Sequence, residues 1–225
     1  RSTLFPYTTL FRSSTEVSWR ILADDLTAAV RRAEAHESVD LSPPSASLIE
    51  WAAALDANRE RIVAEEHDHW NEVEARAVKA RLPRAACEPG VLEVELDAGL
   101  SKQILGTAGA AHRTDAQDLL LAGLTMAVRD VTGNAEVSVR LEGHGRVETA
   151  GLPPIDRTVG WFTTEYPVVL PCETDPRRAL ILVKELLRKV PNAGFGYGLR
   201  PGGLGGLTAE DRKSTRLNSS HSTES

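Results

Sequence analysis

The spacing of apolar side chains predicts helices along the first third of the chain. Apolar residues over 17–33 recur every three or four positions, the spacing that places them on one helix face. Ser47 and Glu50 form a capping box ahead of a second helical pattern, which continues through residues 56–81. The expected apolar stripes are Trp19, Leu22, Leu26 and Ala29 in the first helix, and Leu48, Trp51 and Leu55 in the second.

The helical spacing stops at residues 82–90, a stretch with prolines and a glycine that we interpret as a boundary between two lobes. Residues 91–96 then alternate apolar and acidic side chains, as a half-buried strand does. A short helix is expected over 100–108. Thr114 and Gln117 form a second capping box before a helix whose core stripe is predicted to be Leu120, Leu124, Ala127 and Val131.

Strands and helices alternate through the remaining residues, and this alternation predicts an α/β fold. The sequence contains no internal repeat. The expected elements are a strand over 135–146 ending in a glycine-flanked loop, a β-rich stretch over 158–170 interrupted by Pro167, a helix over 175–190 opened by Asp175 and Pro176, and a glycine-rich loop over 191–198.

Neither end of the chain has apolar side chains at the spacing of a helix or of a strand, so neither end has an apolar face. Residues 1–13 (RSTLFPYTTLFRS) and 211–225 (DRKSTRLNSSHSTES) match translated adapter DNA of a short-read sequencing library, with the last four residues interpreted as index sequence. We therefore exclude both ends from the fold analysis. On this interpretation residues 14–210 are an excerpt of a longer gene, and the apolar side chains of the first end are expected to pack against nothing: Leu4, Phe5 and Phe11.

The charge balance and the cysteine content exclude several classes of protein. Without the two ends the chain has 21 basic and 30 acidic side chains, so its net charge is −9, against −6 for all 225 residues. An acidic chain lacks the basic face typical of nucleic-acid binding, and no apolar run approaches the ~18 residues that span a bilayer. Cys87 and Cys172 are too few and too far apart for a disulfide framework or a zinc site, so reduced, buried thiols in a cytoplasmic protein are expected.

Several stretches contain residues that could carry chemistry, although each is a weak signal taken alone. EGHGR, residues 142–146, brings a carboxylate and an imidazole to a strand end, in a loop whose glycines let a ligand or a backbone approach closely. RTVGWFTTEYP, residues 157–167, is a second candidate, but taken alone its pattern is typical of a buried strand with aromatic packing. GFGYG, residues 194–198, lacks the spacing of a dinucleotide fingerprint. Glu65 and His69 share a helix face, but without a third metal ligand nearby we interpret that face as solvated.

The order of these stretches along the chain is far more specific than any one of them. VSWRIL, DLLLAGL, EGHGR, DRTVGWFTTEYPVVL and KVPNAGFGYG follow one another as they do in the epimerization domains of nonribosomal peptide synthetases, which belong to the condensation-domain superfamily. The chain resembles this family from residue 14 to about residue 200. A peptide-bond-forming condensation domain differs at EGHGR and typically has a VGxFVNT-like strand in place of VGWFTTEYP.

This resemblance implies a fold and a reaction. The family has the α/β fold of chloramphenicol acetyltransferase, with two lobes and a tunnel between them, and it inverts the Cα of an aminoacyl or peptidyl thioester. Inversion needs a proton-transfer group on each face of that carbon. The family uses the glutamate of EGHGR, here Glu142, and a histidine from an HHxxxDG motif. By the same resemblance Tyr166 lines the site, and His144 and Trp161 belong to the substrate channel.

The histidine motif of the family is absent from this chain. It would lie immediately before VSWRIL, where the chain has Ser14, Thr15 and Glu16, and none of the remaining histidines fits its place: His36, His67, His69, His112 and His144. The chain by itself is therefore expected to be an inactive part of an active enzyme. The expected parts are translated adapter over 1–13 and 211–225, the mostly helical end of an N-terminal lobe over 14–85, and the α/β first part of a C-terminal lobe over 90–210.

The resemblance also implies partners and leaves two other functions open. The expected partners are a peptidyl carrier domain, whose phosphopantetheine arm carries the substrate, and other synthetase modules. No directly bound cofactor, metal, nucleic acid or membrane is expected. One alternative is a condensation domain that forms a peptide bond with a single histidine base, and the other is a catalytically silent module that holds a carrier domain.

Overall fold

The computed structural model describes residues 16–43, 45–82, 93–104 and 116–201. Helices and strands are both present, so the predicted α/β class is confirmed. The two ends of the chain, Cys87 and Thr114 lie outside the described residues. The elements in chain order are α1 (Glu16–Glu34), α2 (Leu48–Lys79), α3 (Ala98–Lys102), α4 (Ala116–Thr132), β1 (Glu136–Gly143), β2 (Thr164–Pro171), α5 (Pro176–Arg188) and the 3₁₀ segment Pro191–Leu199.

The starts of α2 and α5 show the capping chemistry that the sequence predicts. The Glu50 amide donates to the Ser47 hydroxyl at 3.2 Å, and the Ser47 amide donates to the Glu50 carboxylate at 2.8 Å. The hydrogen bonds from Ser47 lower the pKa of the Glu50 carboxyl. At α5 the Asp175 carboxylate accepts from the amides of Arg177 and Arg178, each at 3.3 Å. Both predicted helix starts are confirmed.

The chain folds into two compact units, each made of separate stretches of sequence. The division between lobes that the sequence predicts at 82–90 lies largely outside the described residues and stays a prediction. Among the described residues, the first unit comprises 16–43, 45–67, 142–166 and 192–201, and the second comprises 68–82, 93–104, 116–141 and 167–191.

The two strands pair with each other and bury alternate side chains. The Cys172 amide donates to the Ala135 carbonyl at 2.8 Å, and Gly143, the last residue of β1, lies beside Thr164, the first residue of β2. The strands are therefore antiparallel. Every second residue of β1 is buried through most of its length, as the period of a strand requires. The buried side chains of β1 are Val137, Val139 and Leu141.

Helix α4 packs against α5 in the second unit. Leu121 and Val128 of α4 and Ala179 and Val183 of α5 are buried, and they form the apolar core of this helix pair. The buried face of α4 is not the predicted one, because Leu120 and Val131 are 38% and 85% exposed.

The buried face of α4 differs from the predicted one in that it includes polar residues, among them Thr125. The Thr125 hydroxyl donates to the Ala122 carbonyl at 2.8 Å, so this side chain is buried without an unsatisfied polar group. A threonine does not register as a core residue in the spacing of apolar side chains. That spacing therefore favours Leu120, Leu124, Ala127 and Val131 over the observed face, which consists of Asp118, Leu121, Ala122, Thr125 and Val128.

The same correction applies to α1 in the first unit. Ser18 and Ile21 are buried, whereas Trp19 and Leu26, which the apolar spacing selected, are 47% and 66% exposed. The Ser18 hydroxyl donates to the Gly160 carbonyl at 3.0 Å and accepts from the Gly160 amide at 3.1 Å. A serine whose donor and acceptor functions are both satisfied is stable in the interior, so the buried face of α1 can include it.

Three further predictions need correction or lie partly outside the described residues. Residues 93–97 are exposed and do not form the predicted strand, and the short helix α3 is followed by residues that are not described beyond 104. Pro167 does not interrupt β2, which continues through it to Pro171. In the described part of the chain β2 pairs with one strand, β1, and its other edge is unpaired. A proline is compatible with such an edge strand, because no hydrogen bond between strands is lost where its missing amide would face the unpaired edge.

The predicted buried thiol is confirmed for Cys172. This cysteine is free and buried, and its burial raises the pKa of the thiol. A raised pKa keeps the sulfur protonated and poorly reactive at neutral pH. Cys172 therefore acts as a small apolar core residue.

Leu121→Ala and Leu120→Ala test the orientation of α4. Leu121 is fully buried, so its truncation is expected to lower the free energy of unfolding by about 2–5 kcal/mol. Leu120 lies next to it in sequence but is partly exposed, and its truncation should cost clearly less. Urea unfolding of the full chain measures both values. A larger loss for Leu120→Ala than for Leu121→Ala would contradict the observed orientation.

Candidate functional site

The EGHGR loop follows the end of β1 and is fixed by two glycines in the first unit. Gly145 has a left-handed backbone with φ of 66°, and a Cβ atom there would lie 1.5 Å from the carbonyl oxygen of Phe162. A Cβ atom at Gly143 would lie 2.8 Å from the Thr164 hydroxyl. The sequence left open whether a ligand or the protein itself approaches these glycines. In the structure, other segments of the protein occupy the space beside them.

Glu142 and His144 alternate with these glycines. Glu142 is half-buried at the end of β1, next to Gly143 and its contact with Thr164. His144 is exposed, and its Nδ1 accepts from the Arg146 amide at 3.0 Å. This bond closes a tight turn in which the imidazole stabilises the backbone locally. The carboxylate thus belongs to the end of a strand, and the histidine closes the turn that follows it.

Arg146, the last residue of the motif, joins several segments of the first unit. Its guanidinium donates to the Ile155 carbonyl, to the Ser18 hydroxyl at 3.3 Å and to the Gly160 carbonyl at 3.4 Å. It also lies over the Phe162 ring, 4.6 Å from the ring centroid. Burial lowers the pKa of the guanidinium, but an arginine remains protonated in proteins. Sequence reasoning did not single out this residue, although it belongs to the quoted motif.

Tyr166 and Thr164 lie under the glycine-rich segment in the first unit. A Cβ atom at Gly194 would lie 1.9 Å from Cδ1 of Tyr166, so this segment packs directly on the tyrosine ring. The Thr164 hydroxyl donates to the Ala193 carbonyl at 3.4 Å. Burial raises the pKa of the Tyr166 phenol, which keeps its hydroxyl protonated.

Glu142 and Tyr166 occupy opposite faces of the strand pair. Gly143 lies beside Thr164, and residues directly opposite each other in an antiparallel pair share a face. Glu142 is therefore opposite Glu165, while Tyr166 shares its face with Thr164, Val168 and Leu170. The structure brings the tyrosine close to the motif without placing its ring beside the carboxylate.

The segment before β2 contributes an aromatic cluster and one exposed indole. Phe162 is buried and meets Trp51 edge to face, with centroids 5.0 Å apart, and Trp51 meets Phe195 at 5.6 Å. Such contacts fix α2, this segment and the glycine-rich segment relative to one another within the unit. Trp161, assigned by the resemblance to the substrate channel, is 53% exposed. Its indole is therefore accessible to a ligand.

Sequence reasoning also missed Glu66 on α2. Its carboxylate is buried and accepts from the Asn192 side chain at 2.7 Å. The sequence does contain a sign that Glu66 is buried: it lies four positions after Ile62 and four before Trp70, a spacing that places it on the same helix face as these two apolar residues. A charge at such a position requires a hydrogen-bonding partner.

The described residues contain no group of three or more side chains suited to hold a metal ion. The face predicted to be solvated is so at Glu65, which forms an exposed ion pair with Arg61, with 2.8 Å between nitrogen and oxygen. The prediction is wrong for His69, which is half-buried and meets the Trp70 ring edge to face, with centroids 4.7 Å apart. In the described ranges, no helix combines the length and apolar character needed to cross a membrane.

A cavity of about 360 Å³ lies in the second unit. None of the four residues assigned from the sequence lines it. Its walls combine apolar side chains from β2 and α5 with charged side chains from α2, from α5 and from the residue after α5: Glu72, Arg76, Glu185 and Lys189. The cavity therefore involves the end of the VGWFTTEYPVVL stretch, from Pro167 onward, but not the assigned site residues themselves.

Solved structures similar to this one define its class of fold. The epimerization domain from the third module of tyrocidine synthetase B matches with a TM-score of 0.66 and 29% identity, over 83% of this chain and 45% of that chain. The first condensation domain of the calcium-dependent antibiotic synthetase matches with a TM-score of 0.62 at 15% identity, over 81% and 41%. The fold is thus the chloramphenicol acetyltransferase-like fold of condensation-type domains, of which this chain covers less than half.

The family description "Condensation domain" matches residues 16–201, and the chain belongs to this family. Among its relatives, surfactin synthase subunit 1 of Bacillus subtilis (strain 168) is 36% identical over 208 residues, which are 88% of this chain and 6% of the relative. Bacitracin synthase 1 of Bacillus licheniformis is 34% identical over 195 residues, or 81% and 4%. The chain spans less than a tenth of the length of these relatives.

Gly145→Ala tests the backbone contact that fixes the EGHGR loop. A methyl group there meets the Phe162 carbonyl, so the loop must shift and the free energy of unfolding should fall by more than about 2 kcal/mol. Gly133→Ala is the matched control, because Gly133 also has a positive φ, of 72°, but has open space around it and should lose only about 1 kcal/mol. Equal losses in urea unfolding would show that the contact is not specific.

Tyr166→Phe tests the burial of the phenol by its pH dependence. The pKa of the Tyr166 phenol is higher in the folded than in the unfolded chain. The contribution of this phenol to the free energy of unfolding is therefore complete below about pH 10 and is lost as the pH rises through the folded pKa. The phenylalanine variant should therefore lose less stability than the parent chain between neutral and strongly alkaline pH. Urea unfolding at several pH values measures the difference, and parallel curves for the two proteins would contradict the prediction.

Proposed function

We propose that this chain is part of an epimerization domain of a nonribosomal peptide synthetase. The reaction is inversion of the Cα of an aminoacyl or peptidyl thioester that is carried on the phosphopantetheine arm of a peptidyl carrier domain. The observation that carries the proposal is the EGHGR motif at the end of β1, packed by its glycines against the residues around the start of β2. Other synthetase modules are the further partners.

The motifs support this reaction over condensation. EGHGR and VGWFTTEYP are the stretches that resemble epimerization domains and that differ in peptide-bond-forming condensation domains. The family match and the solved structures agree with either kind of condensation-type domain, and an epimerization domain is among those structures at 29% identity.

The chemistry of inversion requires two proton-transfer groups. A thioester acidifies the adjacent Cα–H, but a positioned base and stabilisation of the resulting enolate are still needed. One group removes the proton from one face, and its counterpart returns a proton to the opposite face of the same carbon. Only the configuration changes, and the two groups end with exchanged protonation states. In the reverse direction their roles are exchanged.

Glu142 is proposed as one of these groups. It is half-buried at a strand end, where a carboxylate is held by a regular element and remains accessible. Arg146 and the glycine contacts fix the loop that follows it. The opposite group in the family is the histidine of HHxxxDG, which this sequence does not contain. The chain alone is therefore proposed to be inactive.

Tyr166, His144 and Trp161 are proposed in supporting roles. The Tyr166 ring lies beneath Gly194 and supports the glycine-rich segment, so its effect on proton transfer is indirect. His144 shapes the turn through its bond to the Arg146 amide. The exposed Trp161 indole offers an apolar surface for the thioester arm or the substrate side chain.

Two other functions make different predictions. A condensation domain would join the acyl group of one loaded carrier to the amine of another and leave the configuration unchanged. A docking module would bind a loaded carrier and change nothing. The three functions are distinguished with the complete domain, in which residues 16–201 are joined to a segment that contains HHxxxDG. This domain is incubated with loaded carriers, and the released product is examined by chiral and mass analysis.

Glu142→Gln in the complete domain should slow inversion by at least ~10²-fold, because the amide keeps the shape but does not transfer the proton. Affinity for the loaded carrier should change little. Glu148→Gln is the matched control, since Glu148 is exposed six residues further along the same connection. Tyr166→Phe should cost less than Glu142→Gln. Inversion by the Glu142 variant at the parent rate would make this residue structural and the two-base assignment wrong.

The chain without the histidine motif should not convert an L-aminoacyl carrier to the D form. Loss of one of two acid–base groups typically lowers the rate by about 10²–10⁴-fold. Chiral analysis measures conversion, and exchange of the Cα proton for solvent deuterium shows whether the remaining group still removes a proton. D-product at a rate near that of the complete domain would contradict the proposed mechanism.

A further inference from the structure

Glu66 is a buried carboxylate that the proposed mechanism does not use. It lies on the buried face of α2, one turn after Ile62, and is only 3% exposed. A charged side chain in such a position is costly compared with an apolar side chain of similar size, unless its oxygens are hydrogen-bonded. A leucine at this position would stabilise the packing of α2 more than a glutamate does. The reason for the glutamate is therefore to be found in contacts outside this helix.

The carboxylate holds one end of the bend in the glycine-rich segment. The Asn192 side-chain amide donates to it at 2.7 Å, and Asn192 itself has a left-handed backbone with φ of 44°. Ala193 follows with φ of 48°. Left-handed conformations are unfavourable for residues with a Cβ atom, and asparagine tolerates them better than alanine. Two such residues in succession persist only where neighbouring contacts enforce them.

The same carboxylate contacts the segment again four residues later. A Cβ atom at Gly196 would lie 2.2 Å from Oε2 of Glu66, so the backbone of Gly196 packs directly on the carboxylate. Glu66 therefore fixes the segment at two points, one on each side of residues 193–195.

Residues 193–195 are the ones that reach the candidate site. The Ala193 carbonyl accepts from the Thr164 hydroxyl and would lie 3.5 Å from a Cβ atom at Gly143, the neighbour of Glu142. Gly194 packs on the Tyr166 ring, as described above. A continuous series of contacts thus connects Glu66, through Asn192 and Ala193, to the strand end that bears Glu142.

We infer that Glu66 is a positioning residue that, by holding Asn192 and Gly196, fixes the bend of the glycine-rich segment against the strand end that bears Glu142. The conformational part of this inference stands on the contacts alone. The catalytic part rests on the proposed function. Glu66 does not touch the reacting atoms, and its effect is transmitted through the segment that it holds.

Amide hydrogen exchange in the full chain tests the conformational part. Glu66→Ala should raise exchange over residues 191–199 by at least about tenfold, because local opening becomes easier. Glu66→Gln should stay within about threefold of the parent, since its amide oxygen still accepts from Asn192. Glu65→Ala is the matched control, because this adjacent residue is exposed and pairs with Arg61. Unchanged exchange in Glu66→Ala, or equal increases in both Glu66 variants, would overturn the inference.

Asn192→Gly provides an independent variant in case Glu66→Ala does not fold. Glycine keeps the left-handed backbone available and removes only the side-chain amide. It should raise exchange over residues 191–199 in the same way, and a segment that stays protected would overturn the assigned contact. In a double-mutant cycle with Glu66→Ala and Asn192→Gly, each of which removes the hydrogen bond, non-additive losses of stability are expected, and additive losses would contradict a direct interaction.

Kinetics of the complete domain test the catalytic part. Glu66→Ala and Asn192→Gly should each lower kcat at least about tenfold and leave KM for the loaded carrier within about threefold, while Glu66→Gln retains most of the activity. If kcat is unchanged although the segment exchanges faster, the positioning role is wrong. If the parent domain does not invert its substrate, the proposed function fails instead, and hydrogen exchange still decides whether Glu66 holds the segment.

Discussion

Close approach of the backbone to neighbouring backbone and side-chain atoms governs the candidate site of the first unit, and four glycines in two segments make it possible. Cβ atoms at these positions would lie between 1.5 and 2.8 Å from neighbouring atoms, closer than any side chain tolerates. The EGHGR loop consequently lies directly on the start of β2, and the glycine-rich segment lies directly on Tyr166 and Glu66. The four positions are Gly143, Gly145, Gly194 and Gly196.

Packing at this distance buries polar side chains, and three of them are held by specific partners. Ser18 binds both backbone groups of Gly160, Arg146 donates to two carbonyls and a hydroxyl, and Glu66 accepts from Asn192. Buried hydrogen bonds add little net stability but make alternative arrangements costly, because each broken bond leaves an unsatisfied group. The polar interior therefore specifies one arrangement of loops around the strand end.

This arrangement matters for the proposed chemistry because proton transfer at carbon depends on geometry. A shift of about 1 Å between base and substrate can cost ~10²-fold in rate. Glu142 is held by a strand, by the glycine contacts behind it and by the segment that Glu66 fixes. Residues distant in sequence thus contribute to the position of one carboxylate.

The sequence by itself determined the helix caps, most of the helices and strands, and the order of motifs that identifies the family. These features depend on local spacing and on particular short-range hydrogen bonds, as at Ser47 and Asp175. Only the tertiary structure decided that Ser18 and Thr125 face inward while Trp19 and Leu120 do not. The same holds for Glu66, which is buried because it binds a segment 126 residues away. The physical reason is that a polar side chain is stable in the interior once it finds a partner, and the partner's position is fixed by the fold rather than by local sequence.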